Sequence, residues 1–215
     1  MTRSIVYLHG FASSPASQKA RFFRERLEAE GCRVEVPDLS QGDFENLTIT
    51  AQLRVIEQVA AGRPVTLIGS SLGGYLAALY AARHPETERL LLLAPAFGFA
   101  RRWAATLGGE LEEWKQKGWR MVYHYGDQRP RLIRYRLIED GLQYEDYPRF
   151  TQPALIFHGQ RDQVVVPEWS EEFARGRPNV TLVLVDSDHE LLDALELIWE
   201  RSRGFLLGGA GSRSA

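Results

Sequence analysis

The stretch that decides the fold is residues 65–78, VTLIGSSLGGYLAA. It opens with an apolar, β-branched run typical of a buried strand, and a run of small, helix-forming residues begins at Leu72. The chain must therefore turn from strand to helix within about three residues, at Ser71. Gly69 and Gly73 supply the small neighbours that so sharp a turn requires. We predict that the Ser71 side chain projects from the edge of a sheet, at the positive end of a helix.

The same turn carries the pattern of a nucleophilic serine. Residues 69–73 read G-x-S-x-G between a strand and a helix, which is the context in which this pattern holds a reactive side chain. Ser70 is the alternative nucleophile, but only Ser71 has a glycine both two residues before it and two residues after it. A serine hydroxyl is a poor nucleophile at neutral pH. Ser71 therefore needs a base within hydrogen-bond reach and an acid that orients this base.

Apolar strands alternate with helical segments along most of the chain. This alternation predicts an α/β fold, with a mainly parallel sheet of about six strands and helices on both faces. Residues 89–94, RLLLLA, form a continuous apolar run typical of a strand that is buried on both faces. The predicted strands are residues 4–8, 33–39, 65–68, 89–94, 154–158 and 180–185. The predicted helices are residues 15–30, 50–61, 72–82, 167–175 and 191–206.

A long insert between Pro95 and Pro153 interrupts this alternation. The insert is rich in tryptophan and tyrosine. These rings either form a small core of their own or line the underside of a lid over a substrate pocket, and the sequence leaves both interpretations open. The elements predicted within the insert are a helix over residues 98–118, a hairpin of residues 120–125 and 131–134, and a helix over residues 138–147.

The chain length and composition are typical of one soluble domain. We predict a single domain over residues 1–207 with the lid insert at about 98–150, followed by a flexible tail at 208–215. The net charge of −2 does not favour nucleic acid or a membrane surface as a partner. The lone cysteine, Cys32, fits a reducing compartment, and the sequence shows no signal-peptide pattern. We therefore expect a cytoplasmic protein, whose oligomeric state the sequence leaves open.

Two later strands are each followed by a residue that can complete the chemistry of Ser71. Asp162 follows the strand at residues 154–158, and His189 follows the strand at residues 180–185. The carboxyl ends of parallel strands meet at one edge of the sheet, where Ser71 also projects. The order serine, acid, histidine is that of hydrolases with a strand-turn-helix nucleophile. We therefore predict that His189 is the base and that Asp162 is the acid that orients it.

Other aspartates and histidines compete for these roles. Asp188 adjoins His189, so its side chain should diverge from the imidazole, whereas Asp186 stays open as an alternative acid. His9 ends the first strand, where it can brace the loop that follows. The remaining histidines lie at a helix end, in the insert and at a strand end, and we predict that they are structural: His84, His124 and His158.

Two backbone amides can bind the oxyanion of a tetrahedral intermediate. The Leu72 N–H, directly after Ser71, is the first. The Phe11 N–H is the second, because it follows the first strand and Gly10 lets the backbone approach a substrate. The alternative for Gly10 is a simple turn glycine. The sequence shows no metal-ligand cluster and no nucleotide-binding loop, so we expect neither a metal nor a cofactor.

These motifs resemble those of serine hydrolases of the α/β-hydrolase superfamily, and in particular of the small YqiA-type esterases. The resemblance covers nearly the whole chain and is weakest over the insert and the tail. It implies the α/β-hydrolase fold with a six-stranded core, and a carboxylesterase that acts on short acyl chains. The His-Gly-Phe loop differs from a Gly-Gly-Gly loop, which argues against esters of bulky tertiary alcohols. The segments that carry the resemblance are residues 9–15 (HGFASSP), 69–74 (GSSLGG) and 158–167 (HGQRDQVVVP).

We therefore expect a serine carboxylesterase that cleaves small-molecule esters of short to medium acyl chains through an acyl-enzyme. A thioesterase or an amidase is the alternative enzyme, because the same triad serves all acyl transfers. A non-catalytic ligand-binding receptor with this fold is the alternative outside enzymes. Such proteins often lack a member of the triad, whereas Ser71, Asp162 and His189 are all present.

Overall fold

The computed structural model describes residues 2–208, so the predicted tail lies outside the described residues except for Gly208. The strands β1 to β8 are Ser4–Leu8, Arg33–Glu35, Thr66–Ser70, Arg89–Leu93, Trp119–His124, Arg129–Arg134, Ala154–Gly159 and Val180–Val185. Six of them form one sheet in the order β2-β1-β3-β4-β7-β8, and every neighbouring pair in it is parallel. The other two, β5 and β6, form an antiparallel hairpin.

The helices alternate with the strands of the main sheet and also build the insert. Among the described residues, no helix combines the length and the apolar character needed to cross a membrane. The helices α1 to α8 are Gln18–Ala29, Ile49–Ala60, Leu72–Ala81, Phe99–Leu107, Gly109–Lys117, Arg136–Gly141, Glu168–Ala174 and Leu195–Leu207.

The main sheet is covered on both faces, because side chains alternate between two cores along each strand. In β1, Val6 and Leu8 pack in one core with α2, α3 and much of the insert. Ile5 and Tyr7 pack in the other core with α1 and α8. The prediction of a mainly parallel sheet between two layers of helices is confirmed.

Two helices begin later than the sequence predicts. α1 begins at Gln18 rather than at Pro15, because its N-cap is Ser17, whose side chain accepts a backbone N–H of the first turn. α8 begins at Leu195 rather than at Leu191, because Leu191 has a φ of 55°, a left-handed conformation that a right-handed helix cannot contain.

Other boundaries differ because of single residues. β2 ends at Glu35 rather than at residue 39, since Pro37 has no N–H to donate to a neighbouring strand. The long helix predicted at the start of the insert is two helices, α4 and α5, which are separated at Gly108, where φ is 52° and ψ is −122°. The predicted hairpin is confirmed as β5 and β6. The helix predicted over residues 138–147 is the shorter α6.

Helix α3 approaches the sheet so closely that only glycine fits at two positions. A Cβ atom on Gly73 would lie 2.1 Å from the carbonyl oxygen of Leu8, and one on Gly69 would lie 2.4 Å from that of Gly73. Nonbonded carbon and oxygen atoms do not approach so closely. The close packing holds the N-terminus of α3 against the end of β1, and so brings Ser71 and the loop after β1 together.

Candidate active site

Ser71 lies at the sharp turn between β3 and α3, where the sequence predicts it. Its φ of 53° and ψ of −118° are strained values for a residue with a side chain. Hydrogen bonds hold the turn: Ser71 N donates to Leu93 O over 2.8 Å, and Ala96 N donates to Ser71 O over 3.0 Å. The Ser71 side chain does not cap α3. Its Oγ is therefore available to a partner at the end of the sheet.

The structure brings together the three residues that the sequence proposes as a triad. His189 Nε2 lies 3.1 Å from Ser71 Oγ, and His189 Nδ1 lies 2.7 Å from Asp162 Oδ2. Both distances are within hydrogen-bond reach. The Asp162 side chain is fully buried, and that of His189 is 15% exposed. The arrangement leaves Nε2 as the imidazole nitrogen that can take a proton from Ser71.

The Asp162 carboxylate accepts further hydrogen bonds that fix its orientation. Oδ1 accepts the backbone N–H of Val164 and of Val165, over 2.9 and 2.8 Å. Burial by itself would raise the pKa of the Asp162 carboxyl, but the hydrogen bonds from His158, His189 and Val165 hold that pKa well below its ordinary value. Asp162 is therefore an ionised partner for the imidazole.

His158 touches the same carboxylate, a contact that sequence reasoning did not find. Its side chain is fully buried, and Nε2 lies 2.7 Å from Val165 O and 3.2 Å from Asp162 Oδ2. Because a backbone carbonyl only accepts, Nε2 carries a proton and donates. Nδ1 pairs with Ser170 Oγ over 2.7 Å. The signal available in the sequence was the spacing of four residues between His158 and Asp162 across a tight turn.

The competing aspartates lie elsewhere. Asp186 is 83% exposed at its side chain and forms an ion pair with Arg161 over 2.7 Å. Asp188 Oδ1 accepts the backbone N–H of Glu190 over 2.9 Å. Neither carboxylate is among the hydrogen-bond partners of His189. The geometry therefore favours Asp162 over Asp186 as the orienting acid.

The loop after β1 passes directly beside Ser71. A Cβ atom on Gly10 would lie 3.4 Å from Ser71 Cβ, which is van der Waals contact distance. His9 braces this loop, as the sequence suggested: Nδ1 donates to Gly10 O over 2.9 Å, and Nε2 accepts Leu39 N–H over 3.3 Å. Burial lowers the pKa of the His9 imidazole. A neutral His9 imidazole fits this hydrogen-bond pattern, since one ring nitrogen donates and the other accepts.

The side chain of Phe11 packs against three aromatic rings from other segments of the chain. Its ring centroid lies 5.1 Å from that of Trp103, 5.6 Å from that of Phe99 and 5.5 Å from that of Phe44. Trp103 and Phe99 belong to α4 of the insert. The turn after β5 also reaches this loop, because Tyr125 N donates to Ala12 O over 2.7 Å. The insert therefore packs against the loop that carries the proposed second oxyanion donor.

The aromatic residues of the insert fall into two groups. Trp114 is buried against Trp103, with ring centroids 5.0 Å apart, and the hydroxyl of Tyr144 lies 2.7 Å from Thr50 Oγ1. Tyr123 is 51% exposed on the outer face of the hairpin. Many of the rings thus form the small core that the first interpretation describes. The lid interpretation stays a prediction.

The described residues hold no group of three or more His, Cys, Asp or Glu side chains arranged to bind a metal ion. Cys32 is buried and forms no disulfide. The side chains in line with Ser71 are the imidazole of His189 and, behind it, the carboxylate of Asp162. This set suits nucleophilic attack and proton transfer by the protein's own groups.

Residues 4–202 match the model of the Uncharacterised protein family (UPF0227). The chain belongs to this family. A mouse relative, the palmitoyl-protein thioesterase ABHD10 of mitochondria, is 26% identical to it over 91% of this chain and 72% of the relative.

Solved structures show the same fold. The structure of mouse ABHD10 superposes with a TM-score of 0.82 at 21% identity, over 96% of this chain and 90% of that chain. Est1E from Butyrivibrio proteoclasticus superposes with a TM-score of 0.77 at 22% identity, over 96% and 87%. A monoacylglycerol lipase from Paleococcus ferrophilus gives 0.70 at 18% identity, over 95% and 94%. This UPF0227 member thus shares its α/β-hydrolase fold with esterases, thioesterases and lipases.

Proposed function

We propose that the protein is a serine hydrolase that cleaves carboxylic esters of short to medium acyl chains through an acyl-enzyme. The observation that carries this proposal is the line of contacts from Ser71 Oγ to His189 Nε2, over 3.1 Å, and from His189 Nδ1 to Asp162 Oδ2, over 2.7 Å. An activated serine requires a base in contact and a third group behind it. The α/β-hydrolase fold and the esterases that share it support the same chemistry.

In the proposed mechanism, Ser71 Oγ attacks the acyl carbon while His189 Nε2 takes its proton. The ionised Asp162 stabilises the imidazolium that forms. The N–H groups of Phe11 and Leu72 bind the oxyanion, and each such donor contributes about 3 kcal/mol to transition-state stabilisation. His189 then passes the proton to the leaving alcohol. Water repeats the sequence on the acyl-enzyme, releasing the acid and restoring Ser71.

A thioesterase is the second candidate. The observation that favours it is the 26% identity with a palmitoyl-protein thioesterase. The triad would act on a thioester in the same way, with a thiol as the leaving group. The two candidates differ in the leaving group and in the length of the acyl chain, so a matched set of substrates separates them.

The first experiment compares wild type with Ser71→Ala and with Ser70→Ala as a matched control, because Ser70 is the adjacent serine and is buried in β3. Ser71→Ala should lower kcat on p-nitrophenyl butyrate by about 10⁵-fold or more and abolish labelling by a fluorophosphonate. Ser70→Ala should stay within a few-fold of wild type. Intact-protein mass spectrometry should place the phosphonate on Ser71.

The same proteins are then assayed on acetyl, butyryl, octanoyl and palmitoyl esters and on the matching thioesters. Higher kcat/KM on the shorter esters supports the esterase, and higher kcat/KM on palmitoyl thioesters supports the alternative. A dead Ser70→Ala with an active Ser71→Ala would place the nucleophile one residue earlier. Wild type that neither hydrolyses any of these substrates nor reacts with the phosphonate would instead support a binding protein.

A further inference from the structure

Lys19 is a buried ammonium close to the proposed triad. It lies in the first turn of α1, the helix that follows the Phe11 loop, and it is 8% exposed. The other lysines of the described chain, Lys115 and Lys117, are exposed. A buried ammonium is unfavourable unless hydrogen bonds or an opposite charge compensate for the water it has lost. Lys19 therefore requires a specific hydrogen-bond or ion-pair partner.

The partner of Lys19 is the residue after His189. Lys19 Nζ donates to the backbone oxygen of Glu190 over 2.8 Å and to its Oε2 over 3.3 Å. The Glu190 side chain is 63% exposed, so solvent screens that ion pair and it contributes little. The backbone contact is the shorter of the two, and hydrogen bonds from a charged donor are among the stronger ones. Lys19 therefore holds the backbone beside His189.

In the part of the chain that the structure describes, the other hydrogen bonds of this loop do not connect the backbone of residues 188–190 to a different element. On the side of Asp162, Arg161 N donates to Ser187 O over 3.0 Å, two residues before His189. Glu190 N donates only to the neighbouring Asp188. Within residues 2–208, the hydrogen bond from Lys19 is the one that ties the backbone of residues 188–190 to another element.

We propose that Lys19 is a positioning residue for His189. By holding the Glu190 carbonyl, it keeps Nε2 at the 3.1 Å from Ser71 Oγ that proton transfer requires. It also couples the two sides of the site, since α1 follows the Phe11 loop and Glu190 follows His189. This inference rests on the proposed serine hydrolase function, but assigns a role to a residue outside the triad and the oxyanion donors.

The test is Lys19→Met, which keeps the length and apolar stem of the side chain but removes every donor. A displacement of about 1 Å in a catalytic group can cost roughly 10²-fold in rate. We expect kcat on p-nitrophenyl butyrate to fall about 10- to 100-fold with KM within about two-fold of wild type. That pattern means a loss in the transition state and not in substrate binding. Lys19→Arg, which restores charge and donors, should recover part of the lost kcat.

Two control variants separate positioning from stability. Arg26→Met removes another ion pair of α1, with Glu196 on α8, across 170 residues of sequence compared with 171 for the Lys19 contact. Both side chains of that pair are partly exposed, so Arg26→Met should lower the melting temperature less than Lys19→Met and leave kcat near wild type. Glu190→Ala removes the screened carboxylate but keeps the backbone carbonyl, so it should retain most of the wild-type kcat.

The outcomes test the role of Lys19 and the proposed serine hydrolase function separately. If wild type is active but Lys19→Met keeps its kcat, or loses no more than Arg26→Met, the role of Lys19 is refuted and the triad stands. A Glu190→Ala variant as impaired as Lys19→Met would assign the effect to the carboxylate, which also contradicts the proposal. If Lys19→Met does not fold, Lys19→Gln replaces it, and the same changes in kcat and KM are expected. Wild type without activity or phosphonate labelling refutes the serine hydrolase itself.

Discussion

The environment of Asp162 determines how the proposed triad responds to pH. Its carboxylate accepts hydrogen bonds from two imidazoles and two backbone amides, and its pKa lies below the ordinary value. An unfolded aspartate has a pKa of about 3.9. Because the folded-state pKa is lower, the ionised carboxylate stabilises the fold above about pH 4. That contribution is lost as the pH falls through the folded-state pKa.

The pH dependence of activity should therefore show one acidic limb. Because the pKa of Asp162 is held low, this carboxylate should add no acidic limb above about pH 5, and the logarithm of kcat/KM should rise with pH with a slope of one. A pH–rate profile measured on p-nitrophenyl butyrate checks this. Asp162→Asn should lower kcat by roughly 10³- to 10⁴-fold, because the imidazole loses its orienting partner. A limb of slope two, or a profile flat throughout, would contradict the assignment.

At the scale of elements, the insert supports the site through the ring of Phe11. The side chains of Phe99 and Trp103 on α4 contact this ring, and the Phe11 N–H is a proposed oxyanion donor. If the insert is a lid, which is one of the two interpretations that the sequence leaves open, it would affect the size of the substrate. The contacts add a second effect, because an insert that moves would displace the Phe11 backbone and weaken oxyanion binding.

The prediction at this scale compares Trp103 with Tyr123, two aromatic residues of the insert. Trp103→Leu removes the ring that packs on Phe11 at 5.1 Å, and we expect kcat to fall about 10-fold for every ester, since part of the ~3 kcal/mol of an oxyanion donor is lost. Tyr123→Ala removes a half-exposed ring on the outer face of the hairpin and should leave kcat unchanged. Both variants are assayed with acetyl, butyryl and octanoyl esters.

The dependence on acyl chain length tells the two effects apart. If Trp103 lines the substrate pocket, Trp103→Leu should raise KM for octanoyl esters more than for acetyl esters, because binding shared by ground state and transition state is lost. If it only supports Phe11, the loss in kcat should be the same for all chains. A Trp103→Leu variant that keeps the wild-type kcat and KM throughout would show that neither effect operates.

At the scale of the whole molecule, the site depends on how closely α3 packs against the sheet. The two layers of helices bury the central strands β3 and β4 along their full length. The contact of Gly73 with the Leu8 carbonyl sets the distance between α3 and β1. Ser71 and Gly10 can lie side by side only at that distance. The geometry of the site is therefore a property of the packed sheet as well as of the turn.

Gly73→Ala should disrupt this packing. The added Cβ would lie 2.1 Å from the backbone oxygen of Leu8, so the helix must move, at a cost of about 3 kcal/mol or more in the free energy of unfolding. Urea denaturation followed by tryptophan fluorescence measures the change. Gly204→Ala is the matched control: Gly204 lies within α8 with open space around its Cα. It should stabilise the protein by about 0.5–1 kcal/mol.

The two glycine variants also test how the site depends on the fold. Gly73→Ala should slow labelling by the fluorophosphonate, because the displaced helix moves Ser71 away from His189. Gly204→Ala should label at the wild-type rate. A Gly73→Ala protein with wild-type stability and labelling would show that α3 has room to spare against β1, contrary to the structure.

The sequence by itself determined the sheet, the sharp turn and the three residues that meet at its edge. These features follow from local signals: the period of apolar residues, the glycines around Ser71, and the position of Asp162 and His189 directly after strands. Parallel strands bring their carboxyl ends to one edge, so order along the chain was enough to predict proximity. The roles of Ser71, Asp162 and His189 stay predictions until they are measured.

Only the tertiary structure decided which distant side chains support that site. The contact of Lys19 with Glu190 and the packing of Trp103 on Phe11 join elements whose approach no local pattern specifies. Lys19 and Glu190 are 171 residues apart in sequence. Which of many buried or half-buried polar groups become neighbours depends on the depth and angle at which helices pack on the sheet. This depth and this angle depend on how all the side chains of the core pack together.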